Sequence, residues 1–406
     1  MRLKELRKSR GISQLKLAID LNMNQNSISR YETGEREADY ATLILFADYF
    51  DVSADICWGA RITRRSTDRA ILQGKEKRPR QTIAAAFILR YNGTERKAEG
   101  LPMKYVAVGN YKLPAVAVGC MGLAGAEEKQ QREFVSAALD AGLNFFDHAD
   151  IYGGGECESA FGRAVKALKI PREKLVLQSK CGIVPGKMYD FSKEHIVESV
   201  NGSLRRLGTD YLDLLLLHRP DALFEPDEVA EAFDELERAG KVRAFGVSNM
   251  HPYQIELLKS RIGQAIVADQ LQFSAAHAGM VSCGMEVNML TAGAPSHDGY
   301  ILDYCRLKEI AVQAWSPFRY GFFEGVFLDD PKFEKLNGVL ARLGEKYGVS
   351  KSAIAAAWIL RHPAKMQVIT GTSKAARLLE IAAGADVVLT REEWYEVYLS
   401  AGYMLP

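Results

Sequence analysis

The sequence predicts an α/β protein, a parallel (β/α)8 TIM barrel over residues 103–406 preceded by a small all-α unit over residues 1–62. Three observations predict it. From Ala115 onward, short apolar runs that read as buried strands alternate with amphipathic helical stretches. Eight such runs fit in some 300 residues, and eight is the barrel number. Each run also ends on a polar residue, as one pocket on one face of a barrel requires. The doubly wound alternative would need Gly-x-Gly-x-x-Gly after a strand, and Gly119, Gly122 and Gly125 have the wrong spacing.

The elements follow in order. Leu3, Leu6 and Arg7 open a short helix that ends at Gly11, and Ser13 is a good cap for a second. Asn24 caps a third over Gln25–Thr33, with Ile28 and Tyr31 inward, and a fourth is expected over Asp39–Phe50. Residues 63–102 read as a basic linker of about +6, between a neutral first part and a remainder of about −5. Within it Ile83–Tyr91 has the pattern of one helix. The second part opens with a hairpin, Tyr105–Val108 turned by Gly109-Asn110 into Lys112-Leu113. The barrel strands are then Ala115–Gly119, Asn144–Asp147, Leu175–Ser179, Tyr211–His218, Val242–Ser248, Val267–Leu271, Ala311–Ser316 and Met366–Thr370. The stretch Ala275–His297 is too irregular for a barrel helix and is expected as a loop near the pocket.

Composition narrows the function classes. With 48% hydrophobic and 25% charged residues and a net charge of +1, the chain is an ordinary globular protein. No apolar run approaches the roughly 18 residues of a membrane span, and no signal-peptide core is visible at the start. Six scattered cysteines without a Cys-x-x-Cys pair point to a reducing cytoplasm. Asp147, His148 and Asp150 stand close together, but no second ligand cluster of suitable spacing accompanies them, so no metal is expected.

The first 62 residues resemble the Cro-type (XRE) helix-turn-helix family, through Leu3-Lys4-Glu5-Leu6-Arg7, Ser13-Gln14, Ser27-Ile28-Ser29-Arg30-Tyr31-Glu32, Gly34 and Leu43. The resemblance implies double-stranded DNA as a partner, with the third helix in the major groove. Gln25, Asn26 and Ser29 would meet base edges, while Gln14 and Arg30 would touch phosphate. The neutral charge of this unit implies modest affinity unless the protein forms a homodimer. The competing reading is a helical unit for protein pairing.

The strand ends carry Asp147 and Tyr152, Lys180, His218, Ser248-Asn249, Gln270, Trp315-Ser316, and Thr370-Gly371-Thr372-Ser373-Lys374 with Arg377. This constellation resembles the aldo-keto reductase family. His148-Ala149-Asp150-Ile151-Tyr152-Gly153-Gly154, Ser179-Lys180-Cys181-Gly182-Ile183, His218-Arg219-Pro220-Asp221 and Phe245-Gly246-Val247-Ser248-Asn249 are similar to its YdhF-like bacterial branch. Residue types give the same chemistry. Reducing a carbonyl leaves charge on oxygen that needs a proton, and Tyr152 can donate it if Lys180 lowers its pKa. Asp147 would balance Lys180, and His218 would orient the carbonyl.

The resemblance also implies an NADP cofactor. Its carboxamide would be held by Ser248, Asn249 and Gln270, and its ring would lie on Trp315 next to Ser316. Its phosphate would lie near Gly371, Thr372, Ser373, Lys374, Arg377 and Glu380. Many members carry Lys at the position of Gly371, and Lys374 is expected to compensate. The function expected is therefore an NADP-dependent carbonyl reductase fused to a DNA-binding unit. The alternative is a transcriptional regulator that senses NADP(H) with little turnover.

Overall fold

The computed structural model describes residues 3–21, 23, 25–33, 42, 46, 49–50, 104–322 and 324–405. The chain divides into two compact units, Met1–Arg80 and Gln81–Pro406. The basic linker, the helix expected over Ile83–Tyr91 and most of the fourth helix lie outside the described residues.

In the N-terminal unit, α1 is Leu3–Ser9, α2 Gln14–Asp20 and α3 Gln25–Thr33. Ser13 caps α2 by accepting the Lys16 N–H at 3.1 Å. Leu3, Leu17, Ala18, Ile28, Tyr31, Phe46 and Phe50 bury a small core. Arg7 braces it, donating to both carboxylate oxygens of Glu32 (2.5 and 3.0 Å) and to the Ile12 carbonyl (2.7 Å).

The larger unit opens with the antiparallel hairpin β1 (Tyr105–Val108) and β2 (Tyr111–Pro114). A closed parallel barrel follows, built in sequence order from β3 (Val116–Gly119), β4 (Phe145–Asp147), β5 (Val176–Cys181) and β8 (Leu214–Leu217), then β9 (Phe245–Ser248), β10 (Ile266–Gln272), β11 (Ala311–Trp315) and β14 (Met366–Ile369). Two short hairpins project after β5 and β11: β6 (Ile183–Val184) with β7 (Met188–Tyr189), and β12 (Arg319–Tyr320) with β13 (Gly325–Val326). Closure between β14 and β3 depends on Gly119, where a Cβ would stand 1.9 Å from the Thr370 carbonyl oxygen. The stretch expected as an irregular loop contains a short helix, Gly279–Met285, and then turns. Ser282 Oγ lies 2.8 Å from the Tyr398 hydroxyl, so local packing supplies the order that periodicity does not show.

The barrel interior carries an amide relay where branched aliphatic layers are the rule. Gln178 and Gln270 donate to Asp147 Oδ1 (2.6 and 3.1 Å) and to Gln313 Oε1 (2.8 and 3.1 Å). Gln313 donates onward to Gln178 and Gln367, and Gln367 to the Pro114 carbonyl on the hairpin floor. All four glutamines are buried, and each of these bonds offsets a desolvation cost. The relay runs from the floor to the site and fixes Asp147 from below. Among the described residues no helix is long and apolar enough to cross a membrane.

Candidate active site

Parallel strands in register bring their C-terminal ends to one level, and there the four candidate catalytic residues meet. Asp147 ends β4, and Tyr152 follows in a turn whose glycines Gly153, Gly154 and Gly155 have φ of 58°, 65° and 93°, a region costly for other residues. Lys180 lies on β5 and is fully buried. Its Nζ donates to Asp147 at 2.9 Å, to the His148 carbonyl at 2.6 Å and to the Tyr152 hydroxyl at 3.1 Å. The His218 ring, just past β8, meets the Tyr152 ring edge-on at 5.9 Å.

The protonation states follow from burial set against neighbours. Burial alone would discharge Lys180, but Asp147 and Tyr152 more than offset it, and the pKa rises above its ordinary value. For Tyr152 the balance runs the other way. Burial raises the phenol pKa by more than Lys180 lowers it, so the net shift is upward. Lys180 acts in the expected direction and burial outweighs it, so the hydroxyl is held as a neutral acid with an ammonium beside it. Burial, with Lys180 and Arg219 adding to it, pushes His218 down to about 2, so its imidazole is neutral.

The candidate cofactor residues form a second group beside the first. Ser248 Oγ donates to the Gln270 carbonyl (2.9 Å), Asn249 Nδ2 to Ser248 Oγ (2.7 Å) and Trp315 Nε1 to Asn249 Oδ1 (3.0 Å). Asn249 and Ser316 both sit in the left-handed region, with φ of 56° and 50°. Such strain concentrates where side chains must be aimed. Gln270 departs from its expected part, because its amino group is committed to Asp147 and Gln313 inside the barrel. Only its oxygen is left to meet a carboxamide N–H.

Past β14, Thr372 Oγ1 accepts the Lys374 N–H at 3.1 Å and shapes the turn into the helix Ala375–Ala382, whose first residues have no side-chain cap. Ser373 is half-buried in that turn, while Lys374, Arg377 and Glu380 are exposed. Among the described residues neither Lys374 nor Arg377 forms an ion pair. A Cβ on Gly371 would meet nothing within 4 Å, so the position leaves open space. Free helix N–H groups with two free cations suit a phosphate.

The triplet weighed as metal ligands disperses. Asp147 turns to Lys180, and the His148 ring packs edge-on against Phe161 at 4.7 Å. Among the described residues no three such groups converge. Burial pushes the Cys181 thiol well up, which leaves it a packing residue. Reading strand ends alone missed Gln178, Gln313 and Gln367. Their signal was an amide inside an otherwise apolar strand, repeated at one register level (Gln313 faces Gln270 and Gln367).

In the N-terminal unit, Gln25 and Arg30 are exposed on α3 and Ser29 is half-buried, while the side chain of Asn26 lies outside the described residues. Gln14 donates to Glu32 at 2.8 Å, so one of its N–H groups serves the unit's own bracing.

The comparisons with known proteins agree with this geometry. The family described as "Aldo/keto reductase family" matches residues 115–398, and "Helix-turn-helix" matches residues 3–56. The chain is 36% identical over 277 residues to a 6-dehydroglucose reductase of Agrobacterium fabrum, covering 66% of this chain and 86% of that one. It is 35% identical over 287 residues to Oxidoreductase YdhF of Escherichia coli, covering 68% and 90%. A crystal structure of a thermostable aldo-keto reductase with the inhibitor epalrestat superposes with a TM-score of 0.60 at 25% identity, over 74% of this chain and all of that one. The protein therefore belongs to the aldo/keto reductase family and carries a helix-turn-helix unit ahead of its barrel.

Proposed function

We propose that the barrel reduces aldehyde or ketone carbonyls with NADPH, using Tyr152 as proton donor. The observation that carries this is the Lys180 ammonium, held by Asp147 on one side and 3.1 Å from the Tyr152 hydroxyl on the other. A carbonyl oxygen that gains negative charge needs a proton at that hydroxyl, and the phenolate left behind needs a cation already in place. When bound, a reduced nicotinamide would supply the hydride to the carbonyl carbon. Neutral His218 donates a hydrogen bond that orients the carbonyl. Ser248, Asn249, the Gln270 oxygen and Trp315 hold the cofactor's carboxamide end. Lys374, Arg377 and the N-terminus of Ala375–Ala382 hold the adenosine 2′-phosphate, which is what favours NADP. Ser316, Gly371, Thr372, Ser373 and Glu380 frame the same two subsites.

The helix-turn-helix unit supports a second activity, binding of double-stranded DNA through Gln25, Asn26, Ser29 and Arg30 with Gln14 at the edge, as a homodimer. Among the described residues five cysteines are free and buried, which fits a reducing compartment such as the cytoplasm. Turnover of the purified full-length chain with NADPH and a panel of aldehydes tests the main reading. Saturable NADPH binding without turnover would replace it with the regulator reading.

A further inference from the structure

Arg219 follows His218 directly and stands at the mouth of the candidate site. Its guanidinium carbon lies 5.4 Å from the ring centre of Trp315 and 5.8 Å from that of Phe322. The side chain is half-buried, and burial draws its pKa below the ordinary value, with only the phenols of Tyr189 and Tyr152 opposing. Among the described residues no carboxylate pairs with it. The carboxylate nearest in sequence, Asp221, is committed elsewhere, accepting the N–H groups of Phe191 (3.0 Å) and Leu223 (2.9 Å). Aromatic faces hold a guanidinium in place but do not neutralise it. A planar fork of donors, fixed between rings and lacking an anion, matches a carboxylate in two-point geometry.

We propose that Arg219 determines substrate specificity by binding the carboxylate of an anionic carbonyl compound whose aldehyde or ketone reaches Tyr152 and His218. The inference rests on the reductase reading above and names its substrate class. The carbonyl end meets the Tyr152 proton donor, and the charged end meets Arg219. A neutral substrate of equal shape leaves the cation unpaired and is bound more weakly.

The test compares 4-formylbenzoate with methyl 4-formylbenzoate, which differ in the charge. With the full-length protein and NADPH, kcat/KM should favour the acid by about tenfold or more, the scale of a hydrogen bond to a charged group. The difference should lie in KM and shrink as salt rises. Arg219→Gln should abolish the preference while the ester changes by no more than about threefold, and Arg219→Lys should restore part of it. An acid with no advantage in the wild type overturns the proposal. So does an Arg219→Gln loss equal for both compounds, which would make Arg219 a prop for Trp315. Calorimetric titration of 4-(hydroxymethyl)benzoate and its methyl ester, with NADP present, reads the same contact without turnover. Tighter binding of the acid that Arg219→Gln removes, in a protein that reduces neither aldehyde, would sustain Arg219 and sink the reductase reading. Reduction without charge preference would do the reverse.

Discussion

The two ends of the barrel use similar side chains to opposite purposes. At the N-terminal end, Arg172 donates to Thr209, to the carbonyls of Leu175 and Tyr211, and to Asp213 at 2.7 Å. Arg243 closes the group from the other side of the Tyr211 ring, with the two guanidiniums 3.8 and 3.6 Å from its centre. Asp213 serves both cations and the Leu177 N–H. Here both guanidiniums are held by one buried carboxylate. At the C-terminal end Lys180 is neutralised too, but one of its bonds goes to a hydroxyl that can part with its proton. Around it, among the described residues, Arg219, Lys374 and Arg377 pair with no carboxylate. A satisfied network holds a fold together, whereas a site must keep bonds in reserve for what it binds.

Breaking each end should therefore fail in a different way. The largest effect is expected at Tyr152. Tyr152→Phe should cut carbonyl reduction by about 10²-fold or more and leave NADPH affinity nearly unchanged. Steady-state kinetics with fluorescence titration would show it, and wild-type turnover would remove Tyr152 as the donor. At the other end, Arg172→Ala leaves the buried Asp213 with the Leu177 N–H and a longer ion pair to Arg243, and should lower unfolding free energy by about 3 kcal/mol. Its kcat should be unaltered at temperatures where the variant stays folded. A loss of kcat without a loss of stability would erase the contrast. Next, Arg377→Ala should weaken NADPH by roughly tenfold and NADH little, as loss of one charged phosphate contact predicts. Equal losses would place the 2′-phosphate elsewhere.

A smaller effect concerns acid. Burial, reinforced by Lys180, holds His148 down at about 3, below its unfolded value, so between about pH 3 and 6.5 the unfolded chain binds the extra proton. Stability from this residue is present above that window and lost as pH falls through it. His148→Leu should flatten the acid limb of a stability–pH curve, and an unchanged limb would assign the loss to other groups. The smallest effect is in the helix-turn-helix unit. Gln25→Ala should relax sequence preference more than total affinity, read by selection from random duplexes.

Much of this is legible in the sequence alone. Strand ends such as Asp147, Lys180 and Trp315 could be found because parallel strands announce themselves as apolar runs, and their last residues all reach one face. Boundaries shifted by a few residues, as at Leu214–Leu217 against Tyr211–His218. Of the three residues trimmed from its start, Tyr211 and Asp213 take part in the floor network, while Leu212 makes an isolated parallel bridge with Val242. The amide relay was missed because Gln178, Gln313 and Gln367 lie mid-strand, where periodicity marks a residue as buried without saying what it meets.

By itself the sequence determined the barrel, the helix-turn-helix and the identity of the residues at the site, since these depend on local pattern and on residue type. Tertiary structure decided the balances. Whether Tyr152 sits above or below its ordinary pKa is a contest between burial and the Lys180 charge, and neither magnitude is encoded in spacing. Whether Gln270 offers its amide nitrogen or only its oxygen depends on Gln313, 43 residues away. Arg219 reads as one more basic residue until its surroundings are known. Only packing reveals that the nearby carboxylate is already taken, because a charge acquires meaning from what the rest of the chain has placed around it.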